Sequence, residues 1–422
     1  MKRIPLVKSL LVATVLPMFL FSCDKNMTTQ TEVPSDPVVK PAGEEGDIIP
    51  GQYIVYMKEG AIAPGVSYLQ GPINDRAKKA EFMDNKEVEI TAQLNAFLSK
   101  ESINTNNVIA YYTSLVAGFA IKLSPEEYKQ LATNDKIDMI QYDRIERLPS
   151  FTVENVAASG ARAQSTPCGV TRAGGTRNGD SPYWAWIIDT GIDLDHPDLD
   201  VQTSTTFGKS FVGGTADDCN GHGTHVAGTV GAINNSIGVV GVSNGAKAVP
   251  VKVFGCSGGS ATSTIVSGIN HVGKYDIAGD VVNMSLSGYY GSGCSSGSSY
   301  KTPMQNLANS GTRIASAAGN NSGQNAGLRQ PACVNGSNIF TVASMTCSRT
   351  FSSFSNVGRP PIDFIATGSS VYSTYKNGGY ATLSGTSMAT PHVAGIMHGK
   401  QAAPRGSGTV VKNGVSYPIA VY

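Results

Sequence analysis

Gly385-Thr386-Ser387-Met388-Ala389-Thr390-Pro391-His392-Val393-Ala394-Gly395 sets a serine between a Gly-rich approach (Leu383-Ser384-Gly385-Thr386) and an apolar run at 388–397. The run reads as a buried helix. Gly385 permits a tight turn, and Pro391 comes early enough in the helix to be tolerated. Ser387 then stands at a helix N-terminus, where unpaired N–H groups and the dipole favour developing negative charge. That suits a nucleophile. It equally suits an ordinary capping serine, since Ser is a preferred N-cap residue, so this stretch alone decides nothing.

Two further stretches do. Trp184-Ala185-Trp186-Ile187-Ile188-Asp189-Thr190-Gly191 is a strand-like apolar run ending in an acid and a turn glycine. Asn220-Gly221-His222-Gly223-Thr224-His225-Val226-Ala227-Gly228 puts a histidine at the entry of a second apolar helix. Asp, His and Ser follow in the chain order of subtilisin. With these three blocks, residues 164–399 resemble the subtilisin-like serine proteases, the subtilases. The resemblance implies an α/β fold, a mostly parallel sheet with helices on both faces.

Composition sets the remaining bounds. The 422 residues are enough for two or three domains, and a net charge of +1 with only 15% charged residues gives no case for nucleic-acid binding. All twelve glutamates lie at or before Glu154, whereas the later chain is rich in Gly, Ser, Asn and Thr, so the character changes near 150–165. Lys2, Arg3 and Lys8 precede an apolar run at 10–21, a secretory leader too short to span a membrane. Leu20-Phe21-Ser22-Cys23 resembles a bacterial lipobox, which implies a lipid on Cys23. Six cysteines remain, an even number in an exported chain and without Cys-x-x-Cys spacing, which favours disulfides over metal. The resemblance to the aqualysin branch of the family implies a Cys219–Cys256 bridge and leaves Cys168, Cys294, Cys333 and Cys347 open.

Along the chain, 24–48 carries no periodic signal and reads as a flexible tether. Strands are expected at 51–57, 115–123 and 137–147, and helices at 83–100 and from Ser124-Pro125-Glu126-Glu127, where a cap precedes a first-position proline. Strand, helix, strand, helix, strand make a small α+β unit. Gly118-Phe119-Ala120-Ile121-Lys122-Leu123-Ser124-Pro125-Glu126 resembles the subtilase propeptide, which implies a ferredoxin-like domain acting as intramolecular chaperone and inhibitor. Residues 151–163 are a small-residue linker suited to cleavage. Further strands at 249–254, 280–286, 312–318, 338–343 and 362–366, with helices at 262–274 and 303–309, predict a parallel sheet covered on both faces. Ligands bind beyond the carboxyl ends of such strands, and Asp189 stands at one. Residues 408–422 read as a hairpin about Lys412-Asn413-Gly414, a departure from the family with no assigned role.

The chemistry is amide hydrolysis. Ser387 attacks the carbonyl, His222 takes its proton and returns it to the leaving amine, and Asp189 orients the imidazole and stabilises the imidazolium. His225, one turn on, packs; a His222-x-x-His225 metal pair lacks an acid within the motif. Ser316-Ala317-Ala318-Gly319-Asn320 resembles the family's oxyanion stretch, implying that Asn320 donates to the oxyanion with the Ser387 N–H, and that Ala317, Ala318 and Gly319 line the substrate site. Ser285-Leu286-Ser287-Gly288 resembles the substrate-pairing edge, so Ser285, Leu286 and Ser287 are expected there. Residues 285–300 and 312–337 contain no Asp or Glu, which disfavours selection of basic residues and sits awkwardly with Arg162 before the family-aligned mature start. Ile233-Asn234-Asn235-Ser236-Ile237-Gly238-Val239 resembles the family's calcium loop. Carried over, Asn235, Asp198 and Gln164 side chains with the carbonyls of Ile233, Ile237 and Val239 form an all-oxygen Ca²⁺ shell, and ligation by Gln164 would couple the shell to cleavage of the linker.

The expected organisation is a leader at 1–22, a tether at 23–48, a propeptide at 49–150, a linker at 151–163, a peptidase domain at 164–402 and a tail at 403–422. The expected function is a secreted, monomeric serine endopeptidase of broad specificity acting on proteins or peptides. It is made as a self-processing zymogen, held to the membrane only by its lipid, with the mature enzyme periplasmic, surface or extracellular. The alternative is an inactive surface-binding module on a protease fold.

Overall fold

The computed structural model describes residues 43–62, 73–157, 163–289, 293–294 and 297–422. The leader, Cys23, the tether up to residue 42 and Arg162 lie outside the described residues.

The N-terminal module runs strand Ile48–Met57, helix Arg76–Lys100, strands Val108–Tyr112 and Gly118–Lys122, helix Pro125–Ala132 and strand Ile137–Arg147. The strands are antiparallel, with Ile48–Met57 between Ile137–Arg147 and Gly118–Lys122, and Val108–Tyr112 beyond the latter. This is the ferredoxin-like arrangement. It holds one strand more than the periodicity predicts. Val108–Tyr112 is a partly exposed edge strand whose burial does not alternate, so it carries little period-two signal. The first helix also starts earlier, at Arg76, capped by Asp75. Its opening turns are rich in charge, Arg76, Lys78, Lys79 and Glu81, and hide the apolar stripe. Helix Pro125–Ala132 has the predicted start: Ser124 and Glu127 form a reciprocal capping box.

The larger sheet has nine strands among the described residues, in the order Arg405–Lys412, Val415–Val421, Ile362–Thr367, Ile339–Met345, Arg313–Ala317, Val281–Met284, Ala185–Asp189, Ala248–Lys252, Lys209–Ser210. All pairs are parallel except the terminal hairpin. Helices His222–Gly231 and Thr386–Lys400 pack one face through Val226, Val230, Met388, Val393 and Ile396. Helices Thr262–Tyr275 and Lys301–Asn309 pack the other through Ile265, Ile269, Val272, Met304 and Leu307. Strand order reverses around Ala185–Asp189: the next long strand in the chain lies on one side of it and Val281–Met284 on the other. Crevices of this kind, beyond the carboxyl ends at a reversal, are where open α/β sheets hold ligands.

The C-terminal hairpin finds its place here. Arg405–Lys412 and Val415–Val421 turn through Asn413 and Gly414, both at positive φ, and extend the sheet beyond Ile362–Thr367. Tyr422 then ties the end back, its hydroxyl donating to the Val242 carbonyl at 2.6 Å and its N–H to Ala173. Disulfides join Cys219 to Cys256, Cys168 to Cys347 and Cys294 to Cys333.

The two modules share backbone hydrogen bonds. Gly259–Ala261 adds a fifth strand to the N-terminal sheet, pairing Gly259 with Arg147 and Ala261 with Ile145. Just after it, helix Thr262–Tyr275 has no side-chain cap of its own. The N-terminal module supplies one: Asp143 accepts the Ser263 N–H at 3.0 Å and the Ser263 hydroxyl at 2.5 Å, and buried Glu146 accepts the Thr262 hydroxyl at 2.9 Å. At the far end Asp280 takes both guanidinium nitrogens of Arg76, at 2.7 and 3.0 Å, and Lys79 pairs with buried Asp276.

Candidate active site

Three carboxyl ends of the central sheet deliver the site. Strand Ala185–Asp189 ends in Asp189, Val281–Met284 is followed by Ser285, and Arg313–Ala317 leads through Ala318 and Gly319 to Asn320. Against them stand the first residues of two packed helices, His222 of His222–Gly231 and Ser387 of Thr386–Lys400. A Cβ on Gly223 would lie 2.1 Å from the Gly191 carbonyl oxygen, so the turn after the acid and the start of the histidine helix touch backbone to backbone. Only glycine allows that approach.

Asp189 and His222 are both fully buried, and Nδ1 of the imidazole lies 2.7 Å from Asp189 Oδ1. The Thr190 N–H also donates to that oxygen, at 2.7 Å. A ring nitrogen beside an ionised carboxylate is the protonated one, which makes Nε2 the basic nitrogen. Nε2 is buried without a hydrogen-bond partner. The Ser387 hydroxyl donates elsewhere, to the Ser285 carbonyl at 3.2 Å, while the Ser285 hydroxyl donates to the Ser387 carbonyl at 2.7 Å. Asp and His are thus in direct contact, and the serine hydroxyl makes its hydrogen bond to Ser285 rather than to the imidazole.

Asn320 completes the arrangement. Its Oδ1 accepts the Thr386 N–H and hydroxyl, both at 2.8 Å, which leaves Nδ2 aimed outward, and Nδ2 donates to the Ser150 carbonyl at 2.8 Å. Gly385 is extended, at φ 167°. It makes no tight turn of the kind its type predicts, and a Cβ there would meet Asn320 Nδ2 tightly, at 3.1 Å, and Phe151 Cβ at an ordinary contact distance of 3.6 Å. The Phe151 ring lies 4.9 Å, centroid to centroid, from the His222 ring. The tail of the N-terminal module therefore lies in the site, with the Leu148 N–H donating to the Gly258 carbonyl at 2.9 Å.

Other expected residues fall as follows. Ala317, Ala318 and Leu286 are buried. Among the described residues no backbone hydrogen bond joins Ser285–Ser287 to the tail; the tail pairs with Gly258–Ala261. Ser287 is engaged by buried Arg329, whose Nε donates to its hydroxyl at 3.2 Å, and Arg329 also pairs with Glu45 of the N-terminal module at 2.5 Å. His225 donates to or accepts from nothing in the site: Nε2 faces the Val371 and Ala381 carbonyls. Asp218 is the residue that motif reading passed over. It accepts the Gly221 and Thr224 N–H groups, capping the histidine helix, and takes the Thr190 hydroxyl at 2.9 Å, tying that cap to the Asp189 turn. An acid four residues before a helix-opening histidine was its only trace in the sequence.

The predicted calcium residues gather at one place. Asp198 accepts Asn235 Nδ2 at 2.8 Å, the Val239 N–H at 3.0 Å and the Tyr380 hydroxyl at 3.2 Å, and Gln164 Nε2 donates to the Ile233 carbonyl at 3.0 Å. These are oxygen-bearing groups with one carboxylate, the donor chemistry of Ca²⁺. Asn235 Oδ1 accepts the Ile237 N–H at 2.8 Å, so its amide presents nitrogen rather than oxygen to Asp198. Among the described residues no group of three His, Cys, Asp or Glu side chains clusters as a metal site. Gln164 reaches Ile233 in the uncut chain, so its place in the loop does not await linker cleavage.

A model described as the subtilase family matches residues 186–413, and one described as peptidase inhibitor I9 matches residues 52–149. The chain is 32% identical over 357 residues to an extracellular serine proteinase of Thermus sp. (strain Rt41A), covering 83% of this chain and 80% of that one. It is 34% identical over 357 residues to M-protease of Shouchella clausii (strain KSM-K16), covering 82% and 84%. A crystal structure of a cold adapted subtilisin-like serine proteinase matches with 34% identity and a TM-score of 0.49, over 58% of this chain and 90% of that one.

The buried histidines set an acid limit. Burial lowers the proton affinity of His225 to about 3 and of His271 and His392 to about 4. The unfolded chain protonates them near the ordinary value of about 6.5, so below it the unfolded state binds more protons. The stability they contribute is complete above pH ~6.5 and is lost as pH falls towards the folded values. The thermal midpoint should therefore drop steadily from pH 7 to 4, and less steeply in His271→Gln; a midpoint constant across that window would contradict this reading.

Proposed function

The chain belongs to the subtilase family of serine proteases, and from that premise we propose that Ser387, His222, Asp189 and Asn320 carry its chemistry. It is a serine endopeptidase made as a self-processing zymogen whose N-terminal module is an inhibitor-type propeptide. Ser387 is the nucleophile. Rotation of its hydroxyl from the Ser285 carbonyl to His222 Nε2 gives the base its proton as the carbonyl is attacked. Asp189 holds the tautomer and offsets the imidazolium charge. Asn320 Nδ2 and the Ser387 N–H receive the oxyanion. His222 then protonates the leaving amine, and water repeats the sequence on the acyl ester. The observation that supports this most is the buried 2.7 Å Asp189–His222 contact with Nε2 left unpaired. The reading of the chain as an inactive binding module is not supported by the comparisons.

Substrate would enter as the tail of the propeptide does, adding a strand to Gly259–Ala261 through main-chain hydrogen bonds. Such pairing is indifferent to side-chain identity and favours broad specificity. Buried Arg329 beside Ser287 adds positive potential there, which works against basic side chains. Structural calcium at Asp198, Asn235, Gln164 and the carbonyls of Ile233, Ile237 and Val239 would brace the loop behind the histidine helix and take no part in the reaction. The enzyme is exported, as its extracellular relatives are, and we extend this to a monomeric precursor anchored by a lipid on Cys23 and released when the propeptide is cut away.

A fluorophosphonate probe should label the wild type on Ser387 and leave Ser387→Ala unlabelled; labelling of both, or of neither, would refute the assignment. Asn320→Ala should keep KM within a few-fold and lose about 10²–10³ in kcat. Chelation should lower stability by about 2–3 kcal/mol at calcium about a hundredfold above its Kd, and Asp198→Asn should remove that response; equal thermal midpoints with and without chelator would count against the site. In fractionated cells the uncut Ser387→Ala precursor should stay with membranes and its Cys23→Ala form should not.

A further inference from the structure

We infer that the chain's first cut on itself falls between Ser150 and Phe151, at the very start of the linker, and that the strand behind the cut stays on the enzyme. The inference rests on the catalytic assignment above and adds the bond on which that machinery first acts.

Four observations place this bond. The Ser150 carbonyl accepts Asn320 Nδ2 at 2.8 Å, and Thr386 fixes the amide from behind. Phe151, which would carry the leaving nitrogen, packs its ring 4.9 Å from His222. Upstream, Ile145 to Arg147 pair in register with Ala261 to Gly259, and the Leu148 N–H reaches the Gly258 carbonyl. Downstream, Thr152–Ala157 forms a strand antiparallel to Gly379–Ser384, from Thr152 opposite Ser384 to Ala157 opposite Tyr380. Glu154 pins that strand by accepting the Ser384 hydroxyl at 2.6 Å and the Ser370 hydroxyl at 3.0 Å.

The downstream ladder takes up one extra residue at Glu154, between the Asn155–Thr382 and Val153–Leu383 pairs, but the upstream ladder is regular from Ile145 to Arg147, and a one-residue slip there would reverse every side chain in it. The family-aligned position before Gln164 is held elsewhere. Ala163 bridges to Ile237 and Ser165 to Val239, at the Asp198 loop rather than at Asn320. A single chain cannot occupy both places, and the one at Asn320 is Ser150.

The step balances as ordinary acyl transfer. Ser387 Oγ bonds to the Ser150 carbonyl carbon, the carbon–nitrogen bond to Phe151 breaks, and the proton passed through His222 leaves on the new Phe151 amine. Water then cleaves the ester, leaving a carboxylate on Ser150. The new N-terminus is Phe151, and Thr152–Ala157 keeps its pairing across the leaving-group side of the site. The product is an enzyme that still carries residues 151–163.

Intact-mass measurement on the full chain during early processing tests this. Fragments ending at Ser150 and beginning at Phe151 are expected before any other. Phe151→Pro, which turns the leaving nitrogen into a ring nitrogen and misplaces it, should slow processing by about 100-fold or more, whereas Arg162→Ala should process within about twofold of wild type. The Ser387→Ala background shows by thermal midpoint whether Phe151→Pro folds, and the wild-type masses decide the matter if it does not. A first fragment ending at any other residue, or slow processing of Arg162→Ala with normal Phe151→Pro, overturns the inference. A wild type that takes the fluorophosphonate label but cuts elsewhere refutes the cut site alone. One that neither labels nor cuts refutes the catalytic assignment and this inference with it.

Discussion

The contact between Asp189 and His222 governs how the rest is built. Both side chains are excluded from water, and an ionised carboxylate left alone in such a place costs several kcal/mol. The fold offsets part of that cost with one imidazole nitrogen and one backbone N–H on Oδ1, and Oδ2 stays buried without a hydrogen-bond partner. Holding them there needs the backbone contact at Gly223, the Asp218 cap on the histidine helix and the Thr190 hydroxyl that joins cap to turn. The strength of the pair resides less in its Coulomb energy than in the surroundings that forbid any other geometry.

Much of this was legible before any coordinates, and the reason is local. The Asp, His and Ser blocks are each a strand end or a helix start, and their chemistry is written in adjacent residues. The parallel sheet was legible too, since apolar runs such as Val281–Met284 and Arg313–Ala317 bury both faces. What escaped reading depends on partners far along the chain. Val108–Tyr112 is a strand because Gly118–Lys122 lies beside it, and nothing in its own pattern says so. Gly258–Ala261 is a run of small residues until a second backbone pairs with it. Gly385 reads as a turn glycine, but its backbone is extended and the tight approach to it is that of Asn320, distant in the chain. The terminal hairpin was visible as a hairpin, but its attachment beside Ile362–Thr367 was not.

The propeptide meets the peptidase through several separate kinds of contact. Main-chain pairing at Gly259–Ala261 supplies shape, while Arg76 between Asp280 and the Trp184 ring, 3.6 Å from its centroid, supplies a buried ionic anchor. Lys274 reaches Asp84 and Glu87 at 2.6 Å each, in a more exposed pair of contacts that salt would screen. Trp186 Nε1 and the Trp184 N–H also donate to Asp280, so this acid keeps hydrogen bonds when the propeptide departs. Arg329 is different: Glu45 leaves with the propeptide, and among the described residues the guanidinium keeps the neutral oxygens of Ser287 and the Tyr289 ring, 5.5 Å away.

The borrowed cap on helix Thr262–Tyr275 has a consequence for the timing of synthesis. Ribosomes deliver the N-terminus first, and domains fold as they emerge. Asp143 and Glu146 are made on the order of a hundred residues ahead of the helix they close, so the Ser263 N–H and the Thr262 and Ser263 hydroxyls at its start emerge after their acceptors. A chain rearranged to make the helix first would have to hold those donors open until the acids arrived. The order of segments in the gene is thus also the order in which acceptors and then donors of this cap are supplied.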